Sequence, residues 1–463
     1  MFFGDGRKTP LPLEALVSTH LSWCINNPIY AHDFSTLEPR LCARACRLVM
    51  QHANCVPSLA AGMKSLPSGG SSLADTQALW RFLHNPRVKP TDLSQPLLAM
   101  ARQGLAESCD DYALAVHDWS RLNYRTHDNK RDRVRMTHDK DVCYELQSTV
   151  LVADRDGSPI CAPVQNLRTA KGLLSSRADG VLRQASHLDE LNERVAWLEK
   201  QALGRTLVHV VDREADSIGH LRCWQEQGSL WLVRAKAGGR VRYEDRSLRL
   251  KEVAAGLTFE WACEVQHQGG RAQQWVASTK VVITRAARPA GKDGQGKRKR
   301  AVPGAPLQAR LVVSQVRDKD NKMLAEWFLL SNGPEEVGAQ RLALWYYWRW
   351  NIESYFKLLK QAGQELEQWE QESGEAIFKR LLIASQACAL AWRLMRESGE
   401  QAQMTRAFLV RLSGRQMKRS RPVTASALLA GLYMLFALNE TLEHYSPEEI
   451  AQFARHARTM GMG

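Results

Sequence analysis

The order of apolar runs predicts an α/β protein: a core of buried strands and helices, a β-rich insertion, and helical regions at both ends. Three observations predict it. Two short, nearly continuous apolar runs, Tyr112 to Asp118 and Thr206 to Val211 leading into Asp212, suit central strands buried on both faces. From about Arg240 to Ala325 the pattern changes to short alternating strands, while the regions before and after these blocks carry helical periodicity. The expected limits are 1–105 for an N-terminal helical module, 106–240 and 326–395 for the two parts of the core, 241–325 for the insertion, and 396–463 for a C-terminal helical region.

In chain order, Leu73 to His84 reads as a helix stopped by Asn85-Pro86, and a second helical run covers Thr91 to Gly104. After the strand ending near Asp118, Val142 to Ala153 and Ile160 to Val164 flank Asp154-Arg155-Asp156-Gly157, where Asp-Gly signals a hairpin turn. Ser186 with Asp189 resembles a capping box, and Leu188, Leu191, Val195 and Leu198 line the helix face that follows. Thr206 to Val211 is the next strand and Ile218 to Gln225 begins the next helix. A three-strand meander, a helix, a strand bearing an acid, and a helix is the order of a ribonuclease-H-like core. The insertion contains Ala262 to His267, Trp275 to Ile283 and Ala309 to Val316, around a Gly/Lys/Arg-rich loop from Arg288 to Arg300 whose composition predicts disorder. From Ala376 the chain is helical again, with a basic connector at Gly414 to Pro422 before an apolar helix starting near Thr424.

Composition narrows the partner. A formal charge of +14 on 463 residues predicts a polyanion, nucleic acid first. Ten scattered cysteines without a Cys-x-x-Cys pair, and no charged-apolar-small leader, predict reduced cytosolic thiols. The longest apolar stretch, Ala425 to Leu438, is too short for a bilayer and is expected as a buried helix, so no membrane is expected as a partner. Cys42, Cys46, His52 and Cys55 are a possible zinc set, but Cys42 and Cys46 also lie one helical turn apart in an apolar pattern, as core cysteines do.

Chemistry concentrates in the stretch from Trp345 to Lys360. At about 100° per residue, positions 346, 349, 353, 357 and 360 fall within an arc of roughly 80°. Tyr346, Arg349, Glu353, Lys357 and Lys360 thus form one polar stripe, while Trp345, Trp348, Ile352, Tyr355, Phe356 and Leu359 fill the adjoining arc for docking on a core. Such a stripe suits a metal-binding carboxylate beside a polyanion, or a structural cluster of ion pairs. Tyr346, Arg349, Glu353 and Lys360 at these offsets resemble the Tyr-Arg-Glu-Lys signature of the DDE transposases of insertion-sequence family four, the transposon-five-like group.

The resemblance extends to the acids. Asp212-Arg213-Glu214-Ala215-Asp216 resembles the segment that holds the family's second catalytic acid, and Asp118, followed by Trp119, Ser120 and Leu122, resembles that of the first. Glu353 corresponds to the third. Phosphodiester cleavage with two magnesium ions needs about three converging carboxylates. The resemblance therefore implies Asp118, Asp212 and Glu353 as catalytic metal ligands for Mg2+, with Mn2+ as a substitute. A strand-end Asp is otherwise a turn or helix cap. Asp216 fits better as a first-turn helix acid, and His117 should face away from Asp118, because adjacent strand residues point to opposite sides.

By the same resemblance Tyr346, Arg349 and Lys360 handle DNA-end phosphates, Lys357 shares their face, and Arg234, closing the strand Leu230-Trp231-Leu232-Val233, lies near the DNA with Lys236 at the same parity. Trp327 resembles the aromatic that holds a flipped-out base in relatives; an indole in an apolar strand is equally a core residue. Lys297-Arg298-Lys299-Arg300 either grips phosphates or is a solvated loop. Trp80 to Pro86 resembles part of the family's DNA-end-binding domain.

The implied activity is that of a transposase that binds the terminal inverted repeats of an insertion sequence, cuts double-stranded DNA with magnesium, and joins the freed 3′ hydroxyls to target DNA. It would work as a homodimer, with the helix from Thr424 as a dimer surface. The alternatives are a DNA-binding relative that does not cut, and a structure-selective nuclease of the same fold.

Overall fold

The computed structural model describes residues 34, 36–53, 72–138, 141–183, 186–267, 270–289, 297, 299–360, 363–415 and 423–459. Cys55, Arg298, and most of the 288–300 and 414–422 segments lie outside them. Among the described residues three helices come first: α1 (Pro39–Ala53), α2 (Ser72–Leu83) and α3 (Pro90–Ser108). Next are β1 (Tyr112–Asn123), β2 (Val134–Arg135), β3 (Val142–Ala153), β4 (Pro159–Thr169), β5 (Gly172–Ser175), β6 (Ala178–Leu182), α4 (His187–Glu199), β7 (Thr206–Val211), α5 (Ile218–Glu226) and β8 (Leu230–Ala235). The chain continues through β9 (Arg240–Tyr243), β10 (Arg246–Arg249), α6 (Leu250–Ala255), β11 (Glu260–His267), β12 (Gly270–Ile283), β13 (Leu307–Arg317) and β14 (Met323–Ser331). Six helices complete it: α7 (Ala339–Tyr347), α8 (Trp350–Lys360), α9 (Gly374–Arg396), α10 (Glu400–Leu412), α11 (Ala425–His444) and α12 (Pro447–Thr459).

All the described strands belong to one mixed sheet, ordered β6-β5-β4-β3-β1-β7-β8-β14-β13-β12-β9-β10, with β2 beside β3 and β11 beside β12. β1 pairs antiparallel with β3 and parallel with β7, and β7 is parallel to β8. The strands expected as an insertion extend this sheet, because β14 returns antiparallel beside β8. Buried polar contacts identify what covers each face. In register, Asp118 opposes Ser148, which opposes Gln165, and the Gln165 side chain meets Tyr355 on α8 and Ser385 on α9. The other face shows His117 and Thr149, 2.9 Å apart, and lies under α4, from which Arg194 reaches Thr149.

Coverage of both faces explains why β7 and β8 are near-continuous apolar runs rather than alternating ones. It also explains α9, which is buried almost all round and packs on β4, α1 and α3. Ser186 caps α4 by accepting from the Asp189 amide at 3.2 Å. The expected turn at Asp154–Gly157 joins β3 to β4, with Gly157 at φ +76°, a left-handed conformation that glycine adopts without strain.

Two expectations need correction. β1 does not stop at Asp118 but runs on to Asn123, because β3 keeps pairing with it after β7 has ended. The stretch expected as one helix is two, α7 and α8, with a step at Trp348–Arg349. There the amides of Arg349, Asn351 and Ile352 bond three residues back, a tighter turn than an α-helix makes. Gly157 packs beneath this step: a Cβ built on it would lie 2.5 Å from the Trp348 ring, and its carbonyl accepts from Asn351 Nδ2 at 2.8 Å.

Candidate active site

β7 ends at Val211, opposite His117 on β1, so the next residues, Asp118 within β1 and Asp212 just past β7, follow the last pair of the parallel ladder. The carboxyl ends of parallel strands gather groups from distant segments. Asp212 also caps the short 3-10 helix Arg213–Ala215, accepting from the Arg213 amide at 2.6 Å. The cap and the site role coexist because one oxygen is left for other partners.

Helices α7 and α8 bring the rest. Arg349 Nη1 donates to Asp118 Oδ2 at 2.8 Å and its Nη2 lies 3.4 Å from Asp212 Oδ2, so one guanidinium spans both acids. The Tyr346 hydroxyl donates to Asp212 Oδ1 at 3.0 Å, and Arg234 from β8 reaches the same oxygen at 3.4 Å. Glu353, four residues after Arg349, is exposed and is coupled electrostatically to Asp118, Arg349 and Asp212.

The charges do not balance. Partial desolvation, followed by repulsion from Asp118, raises the Glu353 pKa although the residue is exposed, with Arg349 offsetting part of the rise. Burial also raises that of Asp118, against the lowering effect of Arg349 and the Trp119 amide. Burial alone would raise Asp212 too, but Arg349, the Arg213 amide, Arg234 and Tyr346 outweigh it and the pKa falls. Two of the three carboxyls therefore hold their negative charge at a cost that a further cation would relieve.

Three carboxylates are the donor set that hard divalent cations take, and the Arg349 guanidinium is a stand-in cation already held between two of them. By donor type alone, Asp118, Asp212 and Glu353 are side chains that Mg2+ or Mn2+ accepts. Among the described residues, however, no three acidic, histidine or cysteine side chains are arranged to hold a metal ion. For Asp118 and Asp212 the physical reason is plain: their facing oxygens are committed to Arg349.

The expected DNA contacts divide by exposure. Lys357 is exposed, whereas Lys360 is half-buried, with Nζ on the Arg121 carbonyl and 3.7 Å from Glu367. Tyr346 and Arg349 are buried among the acids. Trp327 is only 8% exposed and packs against Tyr346 with ring centroids 5.8 Å apart, so in this arrangement it walls the site. Trp350, which the sequence reading passed over, is 56% exposed and lies beside Arg349, 5.7 Å from ring centre to guanidinium carbon. Helical phase was the available signal, since Trp350 falls about 20° beyond the polar stripe, opposite the apolar arc. Glu367 was also missed. It ties Lys360 to the Asn123 amide at 2.8 Å, a contact between segments far apart in sequence.

Outside the cluster, His117 bonds to His209 at 2.9 Å on the far face, as strand alternation requires. Asp216 lies before α5 and not in its first turn, since the helix begins at Ile218; its side chain is buried, receiving Arg285 at 2.8 Å and the Lys236 amide at 3.0 Å, and serves the fold. Cys42 and Cys46 pack partly buried against the core, and His52 bonds to Gln364. Among the described residues no helix is long and apolar enough to cross a membrane.

No protein-family model and no curated protein sequence matches the chain. Among solved structures it is similar to a piggyBac transposase synaptic complex with hairpin DNA, at TM-score 0.35 and 11% identity, covering 97% of this chain and 85% of that one. A likeness that remote decides nothing about the site, and the geometry above stands alone.

Proposed function

We propose that the chain is a DDE-class DNA transposase of the transposon-five-like group. On this reading it binds the terminal inverted repeats of an insertion sequence, cleaves the DNA, and transfers the strand ends to a target. The observation that supports the reading most is that Asp118 and Asp212, from two strands, share one guanidinium, with Glu353 on α8 coupled to both acids by charge. Further support comes from the order β4-β3-β1-β7-β8, three antiparallel strands followed by two parallel to β1, which is that of a ribonuclease-H-like core.

Asp118, Asp212 and Glu353 would hold magnesium, or manganese in its place, which when bound supplies the Lewis-acid chemistry of an in-line displacement at phosphorus. The protein's own groups do the rest. Lys357 and Lys360 extend cationic charge from the acids along α8, a track for a phosphate backbone, and Arg349, Arg234 and Tyr346 supply donors where the scissile phosphate would approach. Trp350 offers an open ring face at the rim and Trp327 a closed one behind Tyr346, so base stacking belongs to whichever face the bound DNA uncovers. Hydrolysis and strand transfer need one site, because both are attacks by an oxygen on phosphorus and differ only in the nucleophile. A homodimer through the exposed side of α11, which carries Met434 and Leu438, completes the reading.

The test is a labelled duplex carrying the inverted repeats that flank the gene, incubated with magnesium. Nicks at the repeat ends are expected, followed by joined products when target DNA is added. Glu353→Gln should abolish nicking, by more than about a hundredfold, while end binding by gel shift persists. Binding with no nick at high protein would make this a non-catalytic relative, and nicks without joined products a structure-selective nuclease.

A further inference from the structure

We propose that Arg349 is an internal counter-ion that keeps divalent metal off the acids until a DNA phosphate draws it away, so that metal and DNA bind cooperatively. The proposal rests on the reading of Asp118, Asp212 and Glu353 as metal ligands and adds an order to their use.

Arg349 and a metal ion would compete for the same oxygens. Arg349 is 6% exposed, and its guanidinium lies 2.8 Å from Asp118 Oδ2 and 3.4 Å from Asp212 Oδ2. A planar fork across two carboxylates is a strong arrangement for arginine, and losing it uncompensated would leave buried charges unpaired.

The exit is built in. The Arg349 backbone is fixed at the step between α7 and α8, where Asn351 is anchored to the Gly157 carbonyl and Trp348 lies on Gly157. Motion is therefore left to the side chain. Its guanidinium carbon is 5.9 Å from the Tyr346 ring centre on the inner side and 5.7 Å from that of exposed Trp350 on the outer side. Turning from the acids to the rim, the cation stays near an aromatic face throughout, which limits the cost of leaving. At the rim a phosphate replaces the carboxylates as its partner, and the vacated oxygens are free to converge on a metal.

Reciprocity follows. If DNA raises metal affinity by withdrawing Arg349, metal raises DNA affinity by the same factor. Free protein is thereby held from loading metal, and from attacking phosphodiesters, before an end is in place.

Manganese binding to the full-length protein, followed by electron paramagnetic resonance of the free ion, tests this without any cleavage assay. Without DNA, Arg349→Gln should bind Mn2+ on the order of tenfold more tightly than the unaltered protein. A mixed-sequence DNA duplex should tighten Mn2+ binding in the unaltered protein and much less in Arg349→Gln. Equal or weaker binding by folded Arg349→Gln overturns the proposal. Should that variant not fold by circular dichroism, a Mn2+ affinity of the unaltered protein unmoved by the duplex overturns it just as well. Asp118→Asn separates this failure from that of the underlying reading. Mn2+ binding that depends on Asp118 but ignores Arg349 sinks the counter-ion alone, and binding indifferent to Asp118, or no binding at all, sinks the metal site and the counter-ion with it.

Discussion

His52 illustrates how far a single residue's role depends on what folds against it. In sequence it is one of four possible zinc ligands; in the structure its Nδ1 bonds to Gln364 Oε1 at 2.7 Å while Arg380 Nε approaches Nε2 at 3.4 Å. Both contacts are satisfied by a neutral ring protonated at Nδ1. Burial, then the Arg380 charge, lowers its pKa from 6.5 to about 3, with the Gln364 bond pulling the other way. The unfolded chain binds a proton below 6.5 that the folded chain refuses until about 3, so this group's contribution to stability is complete above 6.5 and is lost as pH falls through that window. The slope it adds is at most about 1.4 kcal/mol per pH unit. His52→Gln should flatten the acid limb of stability between about pH 6 and 4, as measured by urea unfolding across that range; an unchanged limb would mean that the folded protein protonates the ring. The same lesson holds at Trp327 and Trp350. Trp327 follows Glu326 in an apolar strand and Trp350 stands between Arg349 and Asn351, and the position of Tyr346 and the phase of α8 make one a wall and the other a rim.

Among the elements, the step between α7 and α8 matters most. Apolar spacing made Trp345 to Lys360 one helix and put Arg349 and Glu353 on one face, which was enough to group them. The break at Trp348–Arg349 has no local signal such as a proline or glycine; its cause is the β3–β4 turn packed beneath it. Gly157→Ala tests that dependence. The added methyl would strike the Trp348 ring in a backbone conformation already unfavourable to alanine. A loss of about 2–4 kcal/mol in stability is expected from overpacking and backbone strain together, along with weaker nicking as Arg349 shifts on Asp118. Gly180→Ala is the control. Its φ is +80° but nothing lies within 4 Å, so only the backbone cost, about 1–2 kcal/mol, should appear in thermal unfolding. Equal losses at the two positions would show that the turn does not buttress the step.

For the whole molecule the +14 charge is the property with reach. Displaced counterions make the logarithm of DNA affinity fall linearly with the logarithm of salt, by about 0.9 for each neutralised phosphate. Lys357→Ala should shallow that slope by about 0.9 in filter-binding titrations over a range of potassium chloride, and an unaltered slope would take Lys357 off the phosphate track. By itself the sequence determined what local physics controls. Apolar runs gave the β1, β7 and β8 strands, the Ser186 cap gave the start of α4, Asp154–Gly157 gave a turn, and alternation along β1 gave His117 a face away from Asp118. The tertiary structure alone decided which distant segments meet: that β1 outlasts β7, that β14 carries the later strands into the same sheet, and that Arg349 lies between acids 231 and 137 residues away in the chain. Local pattern encodes periodicity and burial, whereas such meetings depend on how whole elements pack and on charges that become neighbours only after they do.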